Sequence, residues 1–164
     1  MKTITYMGLF IALEVILTRF LAIQTPIVRI SFTFLPIALS AMLFGPLFGG
    51  IAAALADLVG MMLFPSGPFF PGFTLTAFLT GATYGLFLYK KPATLVQISL
   101  AVIVVTVVIT LGLDTVWLWL STGQGIWAIL PVRIIKALIM ARIQVTVIQA
   151  MRRYVIGRLA VNYL

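Results

Sequence analysis

Apolar residues run along this chain in long blocks, broken at intervals by short clusters of proline, glycine and polar side chains. Most blocks are long enough to cross a bilayer as a helix, for which about 20 residues suffice. The first predicts a helix over residues 3–23, stopping before Gln24, Thr25 and Pro26, because proline disfavours helical geometry in its predecessor. A polar segment, 24–32, follows. A short second helix covers 33–44, with Pro36 in its first turn, and Gly45 and Pro46 turn the chain into a third helix over 47–64. Residues 65–72 hold Pro65, Pro68, Pro71, Gly67 and Gly72, a structured loop rather than helix. A fourth helix over 73–89 ends at Lys90, Lys91 and Pro92; a fifth runs over 95–120, longer than a bilayer needs; a sixth runs over 126–154, past Pro131.

Small residues recur every four positions on two of these helices: Gly45, Gly49 and Ala53 before Asp57 on the third, and Ala77, Gly81 and Gly85 on the fourth. That spacing lets helix backbones approach closely in lipid.

Composition fixes the solvent. The chain is 63% hydrophobic and 9% charged, with mean hydropathy +1.22, far from the mix of soluble domains. The expected fold is an all-α membrane protein, one bundle of six transmembrane helices spanning residues 1–164. The first block is too long for a signal peptide and carries Glu14 and Arg19, so it reads as a retained helix. Lys2, Lys90, Lys91, Arg152, Arg153 and Arg158 fall on one side and Arg29 alone on the other, which places both termini in the cytoplasm.

The formal charge of +8 does not indicate nucleic acid, because most basic residues sit at helix ends and no basic, aromatic-interleaved surface remains. Without cysteine or histidine, disulfides, thiolate catalysis and the commonest zinc ligands are excluded, and no metal site is expected. No phosphate loop, zinc-protease helix or nucleophile elbow occurs, so the chain is not expected to be an enzyme or to hydrolyse ATP.

Ionisable groups inside a membrane are costly unless paired or facing water, and each is a candidate for function. Here they are Glu14, Arg19, Asp57, Asp114, Arg133, Lys136 and Arg142. Five of them, Arg19, Asp57, Asp114, Arg133 and Lys136, fall within about three turns of the same membrane face. Asp114, Trp117 and Ser121 share a face of the fifth helix, and Arg133 and Lys136 share one of the sixth. An acid beside an aromatic ring, opposite two cations, suits an aromatic solute with a donor edge at one end and carboxylates at the other. The simpler alternative is neutralisation within the bundle, Asp57 with Arg19 above all. Arg142 reads as a snorkelling residue, and Glu14 has no assigned role.

Several runs carry a resemblance: 13–20 (LEVILTRF), 29–36 (RISFTFLP), 41–49 (AMLFGPLFG), 54–60 (ALADLVG), 64–85 (FPSGPFFPGFTLTAFLTGATYG) and 131–140 (PVRIIKALIM). Together they resemble the folate-specific substrate-binding subunits, or S components, of energy-coupling factor (ECF) transporters. The loop running into GFTLTAFLTG is the most specific piece. The resemblance implies six helices in a bacterial cytoplasmic membrane and a vitamin pocket at the outer side. It also implies a transmembrane T component and two ATP-binding-cassette ATPases as partners, which use the ATP; this chain itself binds no cofactor. Gly8 and Ala12 match the small-residue pair that meets the T component. With folate as ligand, Asp114 accepts from the amino-pyrimidine edge of the pterin, Trp117 and phenylalanines stack on its rings, and Arg29, Arg133 or Lys136 meets the glutamate carboxylates. Ser31, Phe32, Phe69, Phe73 and Thr74 complete the expected set, and segments 24–32 and 65–72 cover the pocket. The alternatives are an S component for riboflavin, thiamin or pantothenate, or a stand-alone secondary transporter with Glu14 or Asp57 as proton carrier.

Overall fold

The structure, a computed structural model, describes residues 2–24, 29–65, 69–91 and 94–153. Among these described residues six helical rods follow one another: α1 (Lys2–Arg19), α2 (Phe34–Phe44), α3 (Pro46–Leu63), α4 (Pro71–Leu88), α5 (Leu95–Thr122) and α6 (Ile126–Met151). The apolar blocks therefore fold as helices, shifted by a few residues at their ends. Two segments depart from expectation. Helix α1 stops at Arg19, and the polar segment after it is partly ordered as a two-residue antiparallel ladder, β1 (Ile23–Gln24) with β2 (Arg29–Ile30), pairing Ile23 with Ile30 and Gln24 with Arg29.

Helix ends are set by local chemistry. Pro46 and Pro71 each open a helix at the position where a missing amide hydrogen does no harm. The turn between α2 and α3 is a single glycine, Gly45, at φ +94°, where a side chain would be strained. Thr94 and Gln97 form a reciprocal capping box at the start of α5.

The tightest packing joins α3 to α4 at the two small-residue stripes. A methyl group added to Gly81 would lie 2.3 Å from the Gly49 carbonyl oxygen, and one on Gly85 would lie 2.3 Å from Pro46 Cα. Gly49 in turn presses on Ala41 of α2, at 2.6 Å by the same measure. Backbone thus meets backbone across three helices, the arrangement that small residues permit in lipid. Around it lies the core, with Tyr84, Ile98, Ala101, Val102 and Ile148 fully enclosed.

Large apolar side chains also cover the outside: Trp127 is 86% exposed and Leu138 65%. Such an apolar exterior is stable only in an apolar solvent. By length and hydropathy alone, α3 and α5 meet the requirement for a spanning helix among the described residues.

Helix α5 is not a plain α-helix. Over nine residues, Val105–Leu113, its hydrogen bonds skip to the fifth residue before α-geometry resumes at Asp114. Such π segments are rare and frequently lie at functional sites.

Candidate functional site

All six helices contribute to the wall of a cavity of about 610 Å³, α3 through Asp57 and Met61, within the range of small-molecule sites. Its lining runs from the bundle end that carries Arg19, Phe34, Pro71, Thr122 and Ile126, called here the upper end, down to Tyr84 and Gln144. Counting about 1.5 Å per residue, Glu14, Asp57, Asp114 and Arg133 lie roughly 8 to 12 Å below that end, so all three acids of the chain share one layer.

Each wall is built by residues three or four apart. Helix α4 supplies Phe73, Thr76, Ala77, Thr80 and Tyr84, and α5 supplies Thr106, Thr110, Asp114 and Leu118. On α6 the lining residues are Arg133, Lys136, Ala137, Met140 and Gln144. At the floor the Tyr84 hydroxyl donates to Gln144 Oε1 at 3.3 Å.

Polar contacts divide into two groups. On one side Asp114 feels the charges of Arg133 and Lys136 and lies beside Thr76, whose hydroxyl proton goes to the Phe73 carbonyl at 2.8 Å. Arg133 Nη2 donates to the Thr110 carbonyl, inside the π segment, at 2.8 Å. Asp114 Oδ1 is buried and has no hydrogen-bond partner among the described residues. On the other side, Asp57 Oδ2 accepts from Thr74 Oγ1 at 2.8 Å and interacts electrostatically with Arg19. Gly60 makes room for that arginine, since a methyl group there would come within 3.0 Å of Arg19 Nε. Above, Thr18 meets Thr33 at 3.1 Å and Thr33 meets Ser31, tying the strand exit to α1.

The sequence pattern of the family described as "ECF transporter, substrate-specific component" matches residues 2–151. This chain belongs to that family. ECF transporters are membrane-embedded, so the apolar exterior of this S component faces lipid. The S component is 47% identical over 143 residues to the folate transporter FolT of Clostridium novyi, covering 87% of this chain and 83% of that one. To the folate transporter FolT of Leuconostoc mesenteroides subsp. mesenteroides it is 33% identical over 145 residues, covering 85% and 78%. Its fold superposes on a crystal structure of FolT bound with folic acid with a TM-score of 0.89, at 46% identity over 92% of each chain.

Of the site residues expected from the sequence, this S component brings Ser31, Phe69, Phe73, Asp114, Arg133 and Lys136 to the wall of one cavity. Three others stand elsewhere. Trp117 does not line it: α-geometry after Asp114 puts Leu118 and Ser121 on the cavity face, and the indole packs against Phe70 at 5.6 Å between ring centres and over Gly72. Thr74 commits its hydroxyl to Asp57. Phe32 is exposed and leans on the Phe34 ring instead. Arg29 pairs through its backbone in β2; its side chain lies outside the described residues, as do positions 25–28 and 66–68 of the two expected covering segments.

Sequence reasoning missed Phe70, Thr76, Thr80, Thr110, Tyr84 and Gln144. A signal was present, because Thr76, Thr80 and Tyr84, like Thr106, Thr110 and Asp114, repeat every four residues within apolar helices.

Proposed function

We propose that this S component captures folate in the 610 Å³ cavity at the outer side of the cell membrane, and delivers it inward with a T component and two ATPases that supply the ATP. The observation that carries the reading is Asp114 Oδ1, a buried acceptor without a hydrogen-bond partner among the described residues, in the wall of a fold matching one bound with folic acid. A pterin offers two adjacent N–H donors on its amino-pyrimidine edge, and a carboxylate is the acceptor that suits them. Phe70 and Phe73, with ring centres 6.1 Å apart, supply apolar faces for the bicycle, and Trp117 supports them from behind. Arg29 is assigned to the glutamate carboxylates, and Lys136, whose charge acts on Asp114 as that of Arg133 does, to the pterin end.

The test is titration of the purified chain with folic acid, riboflavin, thiamin and pantothenate. Saturable binding of folic acid alone is expected; preference for another vitamin overturns the choice of ligand. Lys136→Ala is expected to weaken folic acid about tenfold, or about 1.4 kcal/mol, and pteroic acid, which lacks the glutamate, by the same factor, because its charge acts on Asp114. A loss confined to folic acid would move Lys136 to the glutamate end.

Both covering segments are assigned to a gate. Folic acid is therefore expected to slow amide hydrogen exchange at Ile30 to Thr33 and at Phe69 and Phe70, and unchanged rates there would reject the gate.

Delivery needs a docking face. Gly8 and Ala12 are exposed on α1, and nothing among the described residues comes within 4 Å of a methyl group added at Gly8. Gly8→Leu is accordingly expected to leave folic acid binding intact and to abolish uptake by the assembled transporter. With the upper end outside, Lys90, Lys91, Arg152 and Arg153 lie at the inner surface and both termini are cytoplasmic.

A further inference from the structure

One ionisable side chain in the cavity has no part in the account above. Glu14 is 5% exposed, lines the cavity, and receives no hydrogen bond among the described residues. The charged group it senses there is Asp57, itself an acid, which already has Thr74 and Arg19 as partners.

A carboxyl held in this way gives nothing back to the fold. Burying it costs free energy, and no hydrogen bond to it from the described residues offsets that cost. Its position is informative. Helix α1 packs on α2 and α3, whereas α5 packs on α4 and α6, so Glu14 and Asp114 stand on opposite walls in the same layer with the cavity between them.

We propose that the Glu14 carboxyl is a second ligand-recognition group, accepting a hydrogen bond from an N–H on the side of the ligand turned away from Asp114. This rests on the folate reading. When the pterin's amino-pyrimidine edge is on Asp114, the remaining donors of folic acid are N10–H, where the pterin joins the aminobenzoyl ring, and the amide N–H before the glutamate. Either lies beyond the far edge of the bicycle, on the side facing α1. A carboxyl oxygen there is satisfied only when ligand is present, so the desolvation already borne by the empty protein favours capture.

The test compares Glu14→Met, which keeps the volume and removes the acceptor, with Glu14→Gln, which keeps an acceptor oxygen. Folic acid is titrated into the full-length purified chain, and the thermal midpoint of the unliganded protein is measured for each. Glu14→Met is expected to lose at least tenfold in affinity with an unliganded midpoint equal to or above wild type, and Glu14→Gln to stay within threefold. An unchanged affinity in Glu14→Met overturns the proposal. So does a lower unliganded midpoint in that variant, which marks a structural role, and so does a loss in Glu14→Gln as large as in Glu14→Met. Wild type in the same titration separates the two readings: no binding of folic acid by wild type removes the folate assignment itself, whereas binding by wild type with an indifferent Glu14→Met removes only the role of Glu14.

Discussion

Asp114→Ala is expected to weaken folic acid binding by at least tenfold, about 1.4 kcal/mol, and to weaken pteroic acid by the same factor. The size follows from the bond removed, since a hydrogen bond to a charged group in a dry site is worth about 1.5–3 kcal/mol. The equality follows from geometry, because Asp114 is assigned to the pterin, which both ligands share. Two cations also act on this carboxylate, Arg133 and Lys136, and alanine leaves their charges without it. Asp114→Asn keeps an acceptor oxygen and restores part of the affinity, but turns an amide N–H₂ toward a cationic neighbourhood, so it is expected to fall between wild type and alanine. Direct titration checks all three. Unchanged affinity in Asp114→Ala would discard the acceptor role, and a loss confined to folic acid would move Asp114 to the glutamate end.

The second large effect concerns the fold. Gly81→Leu is expected to abolish recovery of folded protein, and Gly81→Ala to lower stability by at least about 3 kcal/mol, the upper end of ordinary overpacking. The reason is what the new carbon meets. At Gly81 the obstacles within 2.8 Å are the Gly49 and Gly50 backbones of α3, which cannot rotate aside as a side chain can. The α3–α4 contact must open, and α4 carries Phe73, Thr76 and Tyr84 of the cavity. Gly112→Ala serves as the control, since its nearest obstacle is the Val107 carbonyl at 3.5 Å, an ordinary contact. Thermal unfolding of the purified variants reads both, and a Gly81→Ala variant as stable as Gly112→Ala would contradict the close packing.

These two residues also mark how far the sequence is legible. Helix positions follow from apolar blocks and their proline and glycine breaks, because a chain in lipid must satisfy its backbone within each spanning segment. The spacing of the glycines at positions 49, 81 and 85 announces close approach, and Gly81 does meet Gly49 while Gly85 meets Pro46. Asp114 stood out because an ionisable group in an apolar helix is costly. What was hidden depends on helical phase and on neighbours. Asp114 and Trp117 are three apart, 60° apart around a helix, near enough to be read as one face, yet the indole is drawn to Phe70 and Gly72 at the start of α4. The π segment over Val105–Leu113 carries no marker in its run of valine, threonine and isoleucine, and its Thr110 carbonyl is held by Arg133 from another helix. Thr80 escaped notice for a related reason: threonine within a helix ordinarily returns its hydroxyl to its own backbone, as Thr80 does to the Thr76 carbonyl at 2.7 Å. Only the bundle shows that it also lines a cavity.

Everything functional in this account turns on folic acid lying in the cavity with its pterin on Asp114. The most direct measurement is the structure of this chain with folic acid bound. The pterin N3 and 2-amino nitrogens are expected about 3 Å from the Asp114 carboxylate, with the glutamate directed away from it. A ligand with its glutamate at Asp114, or outside the cavity, would contradict it.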